Sequence, residues 1–488
     1  MATTLLRPVH RARSEPAFSF QAAPTQPADW VIHEFEQVAL PDRRHRRRLQ
    51  MIATAFAQNP TAPIPQACPN GAEAKAAYRF FENERISASA LREAHHQATL
   101  ERVREHPIVL AVQDTTILNY STHPCTEGLG PIGSHSPKVI GLLLHSTLAL
   151  TPRGEPLGFL HNAVRARRGS AVAASRHRRK LAQKESYKWV ESLSACQSLA
   201  PLCPDTMLVN IADREADLYE LFVQGLSGPT ESRVHLLVRA RHDRKLEDQD
   251  CTLWQEVGRQ RVAATLSVLV GRRGDQPSRV ARLHIRFCAV QLKAPRRKAG
   301  QPPIRLWAIE AREISGPKGG APILWRLLTS LPVTSAQEAI EKVGWYAQRW
   351  QIELIHKVLK SGCQVEQRQL ETAQRLERVL SVDLVVAWRV LALCKAAREV
   401  PQEPVSRWLP AAQWQALCCY VHRQTKAPKV APSVHQAVRW IAQLGGFLAR
   451  KSDGQPGTKT LWRGLQQLEA MTNMWKLYND TNGGQKCG

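Results

Sequence analysis

Ile108-Val109-Leu110-Ala111-Val112-Gln113-Asp114-Thr115-Thr116 is the stretch on which the reading of the chain turns. Five apolar residues rich in β-formers run straight into polar ones. This predicts a strand over Ile108–Val112, buried on both faces, with Asp114 leaving its end. A second stretch repeats the pattern: Met207–Ala212 is apolar and ends in Asp213. Between them, Lys138–Leu150 and Leu157–Val164 read as strands joined by the turn Pro152-Arg153-Gly154, an antiparallel hairpin. Lys184–Leu199 and Asp213–Val223 carry helical periodicity, and Val234–Ala240 reads as a fifth strand.

The order β-β-β-α-β-α-β implies a mixed sheet of three antiparallel and two parallel strands. This is the ribonuclease H-like pattern of an α/β fold. Outward from it, residues 242–331 alternate the strand-like runs Ala264–Val270, Ala281–Val290, Leu306–Ala311 and Ile323–Leu328 with basic turns such as Pro295-Arg296-Arg297-Lys298. They read as a β-rich insertion. Ser335–Leu359 returns to one long helical pattern, and the chain beyond 390 reads helical between loops. Toward the N-terminus, helices are expected at Trp30–Leu49, Met51–Ala57, Ala72–Phe81 and Ala88–Arg104, behind a loose basic arm. The division expected is 1–27 arm, 28–95 helical DNA-binding module, 96–390 catalytic domain and 391–488 helical C-terminal domain.

Charge narrows the partners. The 488 residues hold 67 Lys and Arg against 42 Asp and Glu, a net +25 with an isoelectric point near 10.0. A polyanion, nucleic acid above all, is the natural partner. Hydrophobic residues make up 43% of the chain, enough to exclude wholesale disorder. No apolar run reaches the roughly 20 residues that cross a bilayer, so no membrane partner is expected. The eleven cysteines show neither a C-x-x-C motif nor zinc-ligand spacing, as suits small core residues in a reducing compartment. The run Asp42-Arg43-Arg44-His45-Arg46-Arg47-Arg48 is either a solvated helix face or a phosphate-contacting patch.

Side by side in such a sheet, the first and fourth strands would bring Asp114 and Asp213 together. Two carboxylates at close range repel unless a cation lies between them, and hard oxygen donors suit Mg²⁺ or Mn²⁺. Either Asp alone would more commonly cap a helix. The segment Trp345–Lys360 adds to the case. Tyr346, Arg349, Glu353 and Lys360 fall at offsets 0, 3, 7 and 14, one face of a regular helix. The face is either a salt-bridged solvent stripe or a surface for a metal and the phosphate chain beside it.

These three blocks resemble the DDE transposases of the bacterial IS-four group, which includes the Tn-five transposase. The blocks are Gln113-Asp114-Thr115-Thr116, then Asp213-Arg214-Glu215-Ala216-Asp217, then the Tyr346/Arg349/Glu353/Lys360 spacing. Gly128–Gly133, Lys184-Glu185-Ser186 and Leu444-Gly445-Gly446-Phe447 extend the resemblance from about residue 28 to about 475. Val164-Arg165 departs from it, lacking the aromatic that many relatives carry there.

The resemblance implies cut-and-paste transposition: metal-dependent 3′ nicking, a hairpin intermediate and strand transfer. It implies Asp114, Asp213 and Glu353 as the catalytic and metal-binding triad, with Mg²⁺ as cofactor and Mn²⁺ as substitute. DNA contacts would come from Arg44, Arg48, Arg239, Arg241, Tyr346, Arg349 and Lys360. Trp325, otherwise a core aromatic, would stack on a flipped base. The partners implied are double-stranded DNA, as terminal inverted repeats and target, and a second copy in a synaptic homodimer. The place implied is the bacterial cytoplasm, on the nucleoid. Two other readings stay open. One is a nuclease of the same fold, and the other is a non-catalytic remnant or inhibitor of a related active copy.

Overall fold

A computed structural model describes residues 27–133, 139–167, 184–227, 234–247, 250–270, 279–298, 300–316, 321–450 and 453–483. Residues 1–26 of the expected arm at 1–27, Lys138 at the start of an expected strand, and the last five residues lie outside the described residues.

The N-terminal helices are α1 (Asp29–Glu34), α2 (Arg43–Gln58), α3 (Ile64–Ala67), α4 (Gly71–Glu82) and α5 (Ala88–Val103). The expected helix over Trp30–Leu49 is in fact two. Pro41 cannot donate a helical hydrogen bond, and Asp42 takes the backbone N–H of Arg44 at 2.8 Å to cap a new helix. The basic run therefore forms the opening turns of α2, which continues through the expected second helix.

Next come β1 (Ile108–Asn119), β2 (Gly130–Pro131), β3 (Ile140–Leu150), β4 (Pro156–Arg165), α6 (Tyr187–Leu199), β5 (Met207–Ala212), α7 (Tyr219–Leu226) and β6 (His235–Arg239). After them stand α8 (Leu253–Arg259), β7 (Ala264–Val270), β8 (Arg279–Leu292), β9 (Ile304–Glu313) and β10 (Leu324–Thr329). Helices α9 (Ala336–Ala347), α10 (Trp350–Lys357), α11 (Ala373–Glu399), α12 (Ala411–His422), α13 (Val434–Leu444) and α14 (Thr458–Gly483) close the chain. The boundary expected at 390 falls within the unbroken α11.

Among the described residues all ten strands join one sheet, in the order β2-β3-β1-β5-β6-β10-β9-β8-β7, with β4 also paired to β3. β1·β5 and β5·β6 are parallel, whereas β3·β1 and β4·β3 are antiparallel. That reproduces the expected three antiparallel and two parallel strands. The expected insertion is not a separate β module. Its strands lie within a residue or two of the predicted runs, but β10 pairs antiparallel with β6 and carries β9, β8 and β7 onto the main sheet.

Alternation along the central strands feeds two cores. Leu110, Val112, Val209, Ile211 and Leu237 face the N-terminal helices and α9–α11. Val109, Ala111, Leu208, Leu236 and Val238 face α6 and α7, where Trp189, Leu193 and Phe222 are fully or almost fully buried. Each such side chain contributes about 1.5–3 kcal/mol by leaving water. Helices α12–α14 form a third core with the end of α11.

One buried polar cluster ties the N-terminal helices to this frame. The Glu34 carboxylate accepts from His95 Nδ1 at 2.6 Å and from Arg102 at 2.7 Å. His95 Nε2 accepts the Phe159 amide at 3.1 Å, so the ring is neutral and donates through Nδ1. Burial pushes the His95 pKa down accordingly. Arg102 also donates to the Leu157 carbonyl at 2.6 Å and lies 4.4 Å from the Trp388 ring centroid, so α1, α5, β4 and α11 meet there.

Burial opposes ionisation of Glu34, but His95 and Arg102 outweigh it and bring the carboxyl down to about 2. Its contribution is therefore complete above pH about 4.5 and lost as pH falls toward 2, worth roughly 3 kcal/mol. Glu34→Gln leaves Arg102 without its carboxylate and costs about 3–5 kcal/mol at pH 7, measured by urea unfolding. The variant also loses the steep acid limb of the stability curve.

Candidate active site

β1 and β5 pair in parallel with Ile108 against Met207 and Val112 against Ile211. Carried two residues further, that register sets Asp114 opposite Asp213 on the same face of the sheet. The expectation that Asp114 leaves the end of its strand needs correction. β1 continues to Asn119, because Thr115-Thr116-Ile117-Leu118 are themselves β-formers and pair with β3, and Asp114 sits mid-strand against Ser146. Asp213 does leave the end of β5. It caps a short 3₁₀ turn, Arg214–Ala216, accepting the Glu215 amide at 2.8 Å.

The third carboxylate arrives on a helix that is not the single straight one expected. α9 ends at Ala347, the chain turns through Gln348 and Arg349, and α10 ends in a π-helical turn, Val358–Gly362. Of the four residues predicted to share one face, Tyr346, Arg349 and Glu353 stay around the same carboxylates, and Lys360 lies toward Glu366. Arg349 donates to Asp114 Oδ2 at 3.2 Å and also to Glu353 Oε1, so one guanidinium bridges two elements. Tyr346 is buried, its ring edge-on to Trp325 at 5.5 Å between centroids. Lys360 lies 3.8 Å from Glu366, which accepts the Asn119 amide at the far end of β1. The π turn changes the rise and rotation per residue before Lys360, so its offset from Glu353 is not that of a regular helix.

Electrostatics point to the same convergence. Burial pushes the Asp114 pKa up to about 6, against the pull of Arg349 and the Thr115 amide, and Asp213 and Glu353 add repulsion. Burial likewise raises the Tyr346 phenol. Arg349 and Arg239 oppose that rise, while Asp213 adds to it. The three acids thus share one electrostatic neighbourhood, lined by Tyr346, Arg349 and Arg239. Among the described residues no three His, Cys, Asp or Glu side chains stand close enough to share a single ion as arranged here. The donor chemistry still fits a divalent cation. It offers hard carboxylate oxygens, one of them desolvated and facing two like charges, with a guanidinium standing in as counter-charge.

The other predicted residues occupy two places. Arg239 ends β6, opposite Leu327 of β10, and donates to the Leu324 carbonyl at 3.0 Å. Trp325, two residues before Leu327, is half-buried on the side of the sheet that packs against Tyr346. Arg241 is exposed, and its backbone N–H is held by Asp217 at 2.7 Å. Arg44 and Arg48 stay on α2, engaged by Asp42 and by Glu73 of α4 respectively.

Two groups escaped the sequence reading. Asp217, buried, accepts the amides of Arg241 and His242 and pairs with Arg244 at 2.5 Å, which fixes the chain leaving β6. On the opposite face, Gln113 donates to Asn210 at 2.6 Å, His145 contacts Gln113 Oε1 at 3.0 Å, and Thr115 contacts His145 at 2.9 Å. This ladder cross-links β3, β1 and β5 directly behind Asp114. Its signal was present in the polar residues Gln113, His145 and Asn210 interrupting apolar strands.

Three domain families match the chain: Transposase DNA-binding over residues 27–86, Transposase DDE domain over 229–384, and Transposase Tn5 dimerisation domain over 385–479. The DDE match contains Glu353 and begins after Asp114 and Asp213. Among solved structures, the piggyBac transposase synaptic complex with hairpin DNA aligns with 93% of this chain and 81% of that one. The identity is 10% and the TM-score 0.33, a likeness too loose to bear on the fold. No helix among the described residues is long and apolar enough to cross a membrane.

A raised Asp114 pKa means that the folded, metal-free protein binds a proton there more tightly than the unfolded chain does. Stability is therefore lost as pH rises from about 4 through 6, by up to about 3 kcal/mol. Asp114→Asn abolishes that loss. Urea titrations at pH 4.5 and pH 8, in chelator, are expected to show the variant gaining on the wild type only at the higher pH.

Proposed function

The chain is a Tn5-like DDE transposase, and we propose that Asp114, Asp213 and Glu353 are the carboxylates with which it cuts and rejoins DNA. One observation carries this reading. A single guanidinium, Arg349, joins Asp114 of the central strand to Glu353 of α10, while the β1·β5 register aims Asp213 at the same spot. The sheet order agrees with a ribonuclease H-like catalytic domain, extended by strands β7–β10.

Asp114, Asp213 and Glu353 would hold divalent cations, Mg²⁺ or Mn²⁺. Bound there, such ions supply the charge stabilisation and water activation that phosphoryl transfer requires. The chain's own side chains do the rest. Arg349 holds Asp114 and Glu353 together before loading. A cation held by the carboxylates would supply that charge balance and leave the planar fork of Arg349 free to pair bidentately with a DNA phosphate. Tyr346 and Arg239 flank the strand at the scissile position. Trp325, braced edge-on by Tyr346, offers a π-face to an unstacked base and offsets part of the few kcal/mol that unstacking costs. Lys360, held two turns beyond Glu353, meets the phosphate chain further along. Arg44, Arg48 and Arg241 extend the basic surface, consistent with a +25 chain.

The reaction class is phosphoryl transfer at transposon ends. Water frees a 3′-hydroxyl, that hydroxyl closes a hairpin on the opposite strand, and after hairpin opening it joins target DNA. The C-terminal helices would pair two copies, each holding one end.

The test incubates the protein and Mg²⁺ with a duplex carrying the repeats that flank its gene. Wild type is expected to nick, form hairpinned ends and join them to target. Glu353→Gln is expected to bind the duplex within about twofold of wild type and to lose nicking by at least 1,000-fold. Normal nicking by that variant would exclude the assignment. Binding without nicking by the wild type would favour the non-catalytic remnant, and cleavage without joining would favour a simple nuclease.

A further inference from the structure

A cavity of about 490 Å³ opens where three parts of the chain meet. Lys357 and Ser361 come from the end of α10 and its π turn, Thr61 from the segment after α2, and Lys459 and Arg463 from the first turns of α14. Trp462 lies among them, 3% exposed. Gly362 lies so close to the Trp462 ring that a Cβ there would come to 3.0 Å, and Gln466 of α14 donates to Thr61. The walls are therefore packed against one another.

The lining holds three cations and no carboxylate. Among the described residues, Lys357, Lys459 and Arg463 are exposed and enter no ion pair. Other cations of the chain pair with carboxylates, as at Arg48, Arg244 and Arg368. Three unneutralised cations around one cavity repel, and an anion relieves that repulsion. The N-terminal end of the 26-residue α14 adds partial positive charge from its unsatisfied N–H groups.

Lys357 follows Glu353 by one helical turn, about 6 Å along the axis. An anion seated here is therefore within reach of a strand engaged at the carboxylates. We infer that this cavity is a phosphate seat for the bound DNA strand, linking the dimerisation helix α14 to the catalytic helix α10. The inference rests on the DNA-cutting reading above. The same cationic chemistry would also suit a free phosphoanion, so the test separates the two.

The full chain is titrated with a fluorescein-labelled 40-base-pair duplex by anisotropy at several salt concentrations. Lys459→Gln with Arg463→Gln is compared with Lys426→Gln with Lys429→Gln, an equal loss of charge on an exposed loop. All four positions are exposed, and circular dichroism and Tm verify folding. The slope of log K against log salt is expected to fall by about 2 for the cavity pair, one phosphate contact per residue removed. The loop pair is expected to leave it within about 0.5. Equal slopes for the cavity pair and wild type, or an equal drop in the loop pair, would overturn the seat while leaving DNA cutting intact. Absence of duplex binding by the wild type would overturn the functional reading, and the seat with it. Calorimetry with inorganic pyrophosphate is expected to give no saturable binding below millimolar concentration. Micromolar binding lost in the cavity pair would assign the cavity to a free phosphoanion and overturn the strand assignment.

Discussion

Like charges gathered in a partly desolvated cleft must be balanced, and this molecule's architecture reflects that requirement. Asp114 is buried enough for its pKa to rise to about 6, with Asp213 and Glu353 adding repulsion. Arg349 is the internal answer, donating to Asp114 and Glu353 at once. It stands between α9 and α10, four residues before Glu353.

The rest of the frame keeps that geometry from relaxing. Gln113, His145, Thr115 and Asn210 lock three strands together behind Asp114, so the strand cannot slip without leaving buried polar groups unpaired. Asp217 fixes the backbone after β6, where Arg241 emerges. Strands β7–β10 extend the sheet past β6 and bring Trp325 against Tyr346. Burial, register and hydrogen bonding converge on a cleft that is electrostatically unfavourable by itself. Replacing Asp114 with a neutral residue would improve its stability above pH about 6.

The sheet was legible in the sequence because its strands are short apolar runs bounded by turns. Ala264–Val270 was bounded to the residue, and Met207–Ala212 likewise. Periodicity reports burial, however, and not partners. It could not tell that β10 pairs with β6, which turns an expected insertion into the second half of the sheet. The extension of β1 beyond Asp114 was hidden because a carboxylate looked like a strand terminator, although Thr115–Leu118 favour strand. The break at Gln348-Arg349 carries no proline or glycine and so gave no local warning. At the break Arg349 donates to Asp114, 235 positions away in the chain. The candidate acids were legible through motif spacing. Their shared guanidinium and supporting ladder are tertiary facts, visible only once the strands are aligned.

Cation-directed backbone scission tests the central claim most directly. Fe²⁺ replaces Mg²⁺ in the DNA-bound protein, ascorbate and peroxide are added, and the peptide fragments are mapped. The account predicts cuts clustered around residues 114, 213 and 353 together, suppressed by excess Mg²⁺. Scission confined to one of these segments, or centred elsewhere in the chain, would contradict it.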